Sequence, residues 1–250
     1  MNDRTVLAVS GPQRTDFLQG LVTNDVTRAA EGIVYAALLT PQGKYLADFF
    51  IVDDGDRYLV DVAESHASLL LQQLTMYRLR ADVQIAPTDL VVSRGTGPAP
   101  DGALPDPRDP ALGWRLYGVQ DVSDDTDWQA LQVAHLVPVT GIDLTPETYI
   151  LEAGFERLHG VDFRKGCFVG QEIVARMKHK TVLRKGLARV TIEGSAQPGD
   201  EIASGDRVAG ALHSVAGDQG IAYLRFDRAS DLRTTGARLV PYPGDIPALS

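Results

Sequence analysis

The chain has 250 residues, 44% of them hydrophobic, and its 33 acidic against 24 basic side chains leave a net charge of −9. That balance excludes a disordered, collagen-like or low-complexity chain and lacks the overall basicity of a dedicated nucleic-acid domain. The length suffices for a real core without disulfide or metal staples. In chain order, Thr5–Val9 is predicted as a strand, followed by a helix opening at Ser10, Gly11 and Pro12, with Ser10 as its cap and Phe17, Leu18 and Leu21 facing inward. Two β-rich runs, Ile33–Thr40 and Tyr45–Val52, flank Pro41, Gln42, Gly43 and Lys44, which read as a hairpin turn. A third run covers Arg57–Val62, and Leu69, Leu70, Leu74 and Tyr77 have the spacing of an amphipathic helix over 64–79. Short strands are expected at Ala81–Ile85 and Leu90–Ser93. Residues 94–113 hold five prolines and read as a flexible loop or linker. Trp114–Val119 resumes a strand, and Asp124–Leu136 reads as a helix with His135 as a packed boundary residue. After Leu183 short strands at 186–192, 207–214 and 219–226 alternate with Gly-rich turns, the pattern of a small antiparallel barrel or sandwich.

No run approaches the ~20 apolar residues of a membrane span. Met1 to Leu7 has the character of neither a secretory nor an organelle-targeting segment. One cysteine forms no intrachain disulfide, so the expected location is cytoplasmic. One thiolate also falls short of a self-contained iron–sulfur or Cys-rich zinc site, and the five histidines show no ligand-pair spacing, so no metal site is expected.

Charge is unevenly placed. Arg157–Lys185 carries eight bases against two acids, a local +6 in an acidic chain. Such an island suits a small anionic ligand, or is a solvated face balancing nearby acids. Within it lies Phe163–Arg176, where Gly166 and Gly170 bracket Cys167 ahead of a predicted helix. The helix terminus with Arg164 and Lys165 makes Cys167 a candidate reactive thiol. The competing reading is a small buried apolar side chain.

Lys165, Gly166, Cys167, Phe168, Val169, Gly170, Gln171 and Glu172 spell K-G-C-[YF]-x-G-Q-E. With Phe17–Asp25, the Leu39–Lys44 hairpin followed by Asp48, Leu151–Phe155 and Gly210–Ser214, this pattern resembles the YgfZ/GcvT-like family of folate-binding proteins, relatives of the glycine-cleavage T-protein. The resemblance implies an α+β fold of three subdomains in a cloverleaf around a central channel, with a C-terminal antiparallel β-barrel. It places a folate-binding region of two intertwined subdomains at 1–183 and the barrel at 184–250. It implies tetrahydrofolate or another reduced folate as cofactor, with Glu152 reading the pterin, Asp48 as a polar partner, and Arg176 meeting the carboxylates of the folate tail. The function it implies is support of iron–sulfur cluster assembly or repair, with assembly or client proteins as partners and an indirect effect on tRNA-modifying iron–sulfur enzymes. Cys167 would be the functional thiol, and no robust turnover is expected. A rival reading is a tetrahydrofolate-dependent aminomethyltransferase or related one-carbon transferase, which Ala47 weakens by standing where T-proteins carry a second acid. A third is a tRNA-binding module built on the basic island.

Overall fold

The computed structural model describes residues 3–180 and 182–247, so Met1 and Asn2 of the N-terminal reading lie outside it. The chain forms two compact units. One runs up to Thr126 and resumes over Phe155–Ile173; the other comprises Asp127–Gly154 and the chain from Val174 onward.

In the first unit, β1 (Arg4–Ser10), β2 (Val34–Leu39), β3 (Tyr45–Asp53), β4 (Arg57–Ala63) and β5 (Gln84–Pro87) form an antiparallel sheet in the order β2-β3-β4-β1-β5. Helices α1 (Arg14–Gln19) and α2 (Glu64–Arg78) contribute Leu18, Leu70 and Leu74 to one core with Leu7, Val9, Phe49, Ile51, Val60 and Val62 of the sheet. Alternation then sends Asp48 and Phe50 of β3 to the opposite face, and both faces are buried. This is why β3 reads as a nearly continuous apolar run.

Helix α1 starts later than the sequence suggested. Gln13, and not Ser10, takes the cap position, and its Oε1 accepts from the Asp82 amide at 2.6 Å. The expected first turn instead docks the chain beside the start of β5. The strand expected at Ala81–Ile85 also starts later, as β5 begins at Gln84 and runs to Pro87.

A smaller sheet has the order β6-β8-β7, from β6 (Val91–Gly95), β7 (Leu104–Pro105) and β8 (Trp114–Gly118). The Pro-rich stretch is therefore anchored and not an open loop. Arg108 donates from Nε and Nη2 to Asp106 at 3.0 and 2.8 Å, both residues are buried, and Leu112 is fully buried. Prolines lose little backbone freedom on ordering, so these few contacts suffice. Asp124 was expected inside a helix. Its carboxylate accepts instead from the Thr96 and Gly97 amides at 2.8 and 3.0 Å.

Between the two sheets lies a buried ion network. Asp61 of β4, 0% exposed, accepts from Arg4 Nε and Arg115 Nη2, each at 2.6 Å, and from the Tyr117 hydroxyl at 3.0 Å. Arg115 also reaches Asp106 at 3.3 Å, and its guanidinium lies 3.9 Å from the centre of the Phe50 ring. Burial pushes the Asp61 carboxyl upward, but Arg115 and Arg4 outweigh it and hold the group below its ordinary range.

In the second unit, α3 (Trp128–Ala134) is capped by Asp127, which accepts from the Ala130 amide at 3.0 Å; half-buried His135 ends it. Helix α4 (Gln171–Lys180) begins in the first unit and ends in the second. Strands β9 (Lys185–Gly194), β10 (Glu201–Ser204), β11 (Arg207–Ala216), β12 (Gln219–Arg225), β13 (Leu232–Arg233) and β14 (Ala237–Pro241) close into a barrel in the order β10-β11-β12-β9-β14-β13. Ala188, Val190, Leu212, Ala222, Leu224 and Leu239 fill it. The three longer strands match the expected runs, whereas β10, β13 and β14 are too short or too polar to declare themselves in sequence. Gln129 of α3 ties onto the Val215 carbonyl of β11 at 2.6 Å.

Candidate functional site

The K-G-C motif forms a loop that is fastened at both ends and open in the middle. On the near side, Lys165 turns inward. Its Nζ donates to the Gln19 carbonyl at 2.8 Å and the Val22 carbonyl at 2.5 Å, the acceptors left at and just beyond the end of α1. The ammonium also lies 5.3 Å from the centre of the buried Phe168 ring.

On the far side, Gly170 has φ +83° and packs on the hairpin turn. A Cβ there would stand 2.7 Å from the Thr40 carbonyl oxygen, while one on Gly43 would meet Ile173 Cβ at 2.8 Å. Two glycines thus let α4 start directly against the β2–β3 turn. Around Gly166 there is open space, and Cys167 is exposed. The buried-thiol reading is set aside by that exposure. Gln171 and exposed Glu172 open α4, and Arg164 is 92% exposed beside Asp162. The basic island is therefore not one solvated face, because its central lysine is internal.

Burial depresses Lys165 to about 8, with Asp25 and Asp162 pulling the other way. The unfolded chain then binds more protons than the folded one between about pH 8 and the ordinary lysine value of 10.5. Stability should rise with pH across that interval, and urea titrations should show this rise vanish in Lys165→Met. An unchanged pH slope in that variant would contradict the assignment.

Asp48 is buried and accepts from the Tyr45 hydroxyl at 2.6 Å and the Tyr35 hydroxyl at 3.0 Å. Burial and the Asp48 charge push Tyr35 well above the ordinary tyrosine range. Tyr35 stacks on Phe155 at 5.1 Å, and the Arg108 guanidinium lies 5.4 Å from its ring centre. The two hydroxyls thus hold the Asp48 carboxylate inside the unit. Sequence reasoning missed both tyrosines, although the hairpin pairing of Tyr35 with Phe50 and of Ala37 with Asp48 was a usable signal.

Glu152 belongs to the second unit. Its carbonyl accepts from the Leu187 amide at 2.9 Å, and its Oε2 from the Tyr223 hydroxyl at 2.7 Å. Its Oε1 has no protein hydrogen bond among the described residues. A half-buried carboxylate with one oxygen held and one offered fits an N–H-rich heterocycle edge. Tyr223 points outward from the barrel because its neighbours Ala222 and Leu224 point in, and burial with the Glu152 contact raises its hydroxyl above the ordinary range. The His213 ring stacks on Tyr223 at 6.3 Å, with a buried Nδ1 that lacks a hydrogen bond 3.9 Å from Asp143. Arg176 is exposed on α4. Among the described residues no three His, Cys, Asp or Glu side chains converge as metal ligands.

Known proteins resemble the chain at three levels. Residues 184–245 match the family model described as the CAF17 C-terminal beta-barrel domain. The crystal structure of the glycine cleavage system aminomethyltransferase T from Bartonella henselae superposes with a TM-score of 0.75 over 98% of this chain and 84% of that one, at 13% identity. The fold is GcvT-like. Among curated proteins, the mitochondrial iron-sulfur cluster assembly factor IBA57 homolog of Mycosarcoma maydis is 32% identical over 78% of this chain, and IBA57 of Mus musculus 27% identical over 99% of it. The chain spans 57% of the length of the fungal relative and 83% of the mouse one.

Two expectations change. The relatives carry the IBA57 name, so the GcvT-like resemblance holds while its YgfZ branch is not the one these matches name. The expectation of a cytoplasmic location is overturned, because the curated relatives, those of Neurospora crassa and Homo sapiens included, are named as mitochondrial. A single cysteine indicates only that the fold needs no oxidising compartment, a condition that does not single out the cytoplasm.

Proposed function

We propose that the chain acts in iron–sulfur cluster assembly, with Cys167 donating one thiolate to a cluster shared with a partner protein. The observation that carries this reading is the exposed sulfur on a loop fastened on both sides. Iron–sulfur clusters take several cysteine ligands, so the remaining ones belong to an assembly or client protein or to a second copy of the chain. The cluster is cargo here, and the chain's own part is to hold the thiol outward. Effects on tRNA-modifying enzymes follow indirectly, from cluster supply. The names of the relatives support the same reading. The experiment is rescue of iron–sulfur enzyme activity in cells depleted of their own IBA57-type factor. Restoration by this chain is expected, and a complete lack of it would overturn the proposal.

The cofactor part of the proposal is a reduced folate at Glu152, with Arg176 toward the carboxylates of its tail. A bound folate would supply one-carbon chemistry. The protein's contribution is the Glu152 carboxylate, oriented by Tyr223 and accepting from the pterin edge. Glu152→Ala should weaken tetrahydrofolate binding by roughly 1–3 kcal/mol, the scale of a lost charge-assisted hydrogen bond. Calorimetry giving both proteins equal affinity would remove Glu152 from the site.

A further inference from the structure

We infer that Lys165 is a positioning residue for Cys167: its buried side chain clamps the sulfur-bearing loop onto the end of α1. The inference rests on the reading of Cys167 as the working thiol and adds what fixes that thiol in space. Lys165 stands two residues before the sulfur and is only 8% exposed. It fastens to two backbone carbonyls more than 140 positions away in sequence, so its contacts hold the loop to a different part of the unit. Phe168, one residue after the sulfur, is buried beneath the same ammonium. Gly166 has open space where a side chain would be, so no side-chain packing at that position restrains the loop. The sulfur's direction is therefore set by the Lys165–Phe168 clamp and, further along, by Gly170 on the hairpin.

A lysine is a costly choice for this place if packing is its only role. Burial lowers its pKa to about 8, with Asp25 and Asp162 as the nearby opposing charges. Near neutral pH the buried charge opposes folding, a cost that an apolar side chain of similar length would avoid. Such a side chain would fill the volume yet donate nothing to the Gln19 and Val22 carbonyls. Global stability is thus a poor guide to what Lys165 does, and local order at Cys167 is the proper one.

The test uses the full chain, in which Cys167 is the sole cysteine. Backbone relaxation at Gly166 and Cys167 should give order parameters near ~0.85 in the wild type and below ~0.6 in Lys165→Met, with barrel residues unchanged. The same variant should lose its rescue of iron–sulfur enzymes while remaining folded. Unchanged order parameters at 166 and 167 would overturn the inference. If Lys165→Met does not fold, Phe168→Leu takes its place, because it removes the ring from the ammonium and keeps an apolar side chain. An intermediate fall in order is expected there, and no fall overturns the inference. The Cys167→Ala variant separates the two claims. Full rescue by it defeats the reading of the thiol, whereas the order parameters decide the clamp whatever the rescue shows.

Discussion

Arg115→Ala is expected to destabilise the protein by about 3–5 kcal/mol, the cost of removing one partner from a buried ion pair. Arg115 is 2% exposed and bridges Asp61 at 2.6 Å to Asp106 at 3.3 Å. Without it Asp61 keeps Arg4 and Tyr117, and Asp106 keeps Arg108, but both carboxylates stay out of water with part of their compensation gone. The contact with the Phe50 ring is lost as well. Urea unfolding of the first unit should report the loss. The double variant Asp61→Ala/Arg115→Ala should cost less than the sum of the two single changes, because the contact between the two residues is then lost once and not counted twice. A single-variant loss under about 1 kcal/mol would show that Arg4 alone neutralises the site. Acid should act on the same network. Burial raises Asp106, but Arg108 prevails and lowers it from 3.8 to about 2. Its stabilisation is complete above the ordinary carboxylate range and is lost as pH falls through about 2.

Cys167→Ala is expected to abolish rescue of iron–sulfur enzymes while leaving the fold intact. Exposure of the side chain keeps the cost in stability to within about 0.5 kcal/mol, as for a surface position without a structural partner. The functional loss should nevertheless be total. A methyl group offers no lone pair to a metal, and no other cysteine in the chain can substitute. Measured unfolding midpoints would match while enzyme activity in depleted cells stayed at the level of an empty vector. Full rescue would take the thiol out of the mechanism and leave the proposed folate site at Glu152 as the part still to be tested.

Much of the site was legible as pattern. The two glycines of the K-G-C motif, the hairpin with Gly43 and the helix after Gly170 are local features, and the structure places each where its spacing indicated. Lys165 was not legible in this way. In sequence it is one of eight bases in a positive stretch, and it looks like its exposed neighbour Arg164. Only the approach of the α1 end to the loop supplies the carbonyls that draw it inward. Asp48 is similar. A lone acid in a strand beside a turn suggests a solvated flank, yet the hairpin places it within reach of the Tyr35 hydroxyl on the neighbouring strand.

Period-two and period-3.6 alternation, turn glycines and proline content act over a few residues, so the chain itself determined the α+β composition, the hairpin and the longer barrel strands. Ion pairing and burial act between residues brought together only by folding. Asp61 and Arg115 are 54 positions apart, and Lys165 and the Val22 carbonyl 143. The ordering of the Pro-rich segment, the inward turn of Lys165 and the outward presentation of Cys167 were accordingly decided by the tertiary structure, because each depends on desolvation and on partners that no local window of sequence contains.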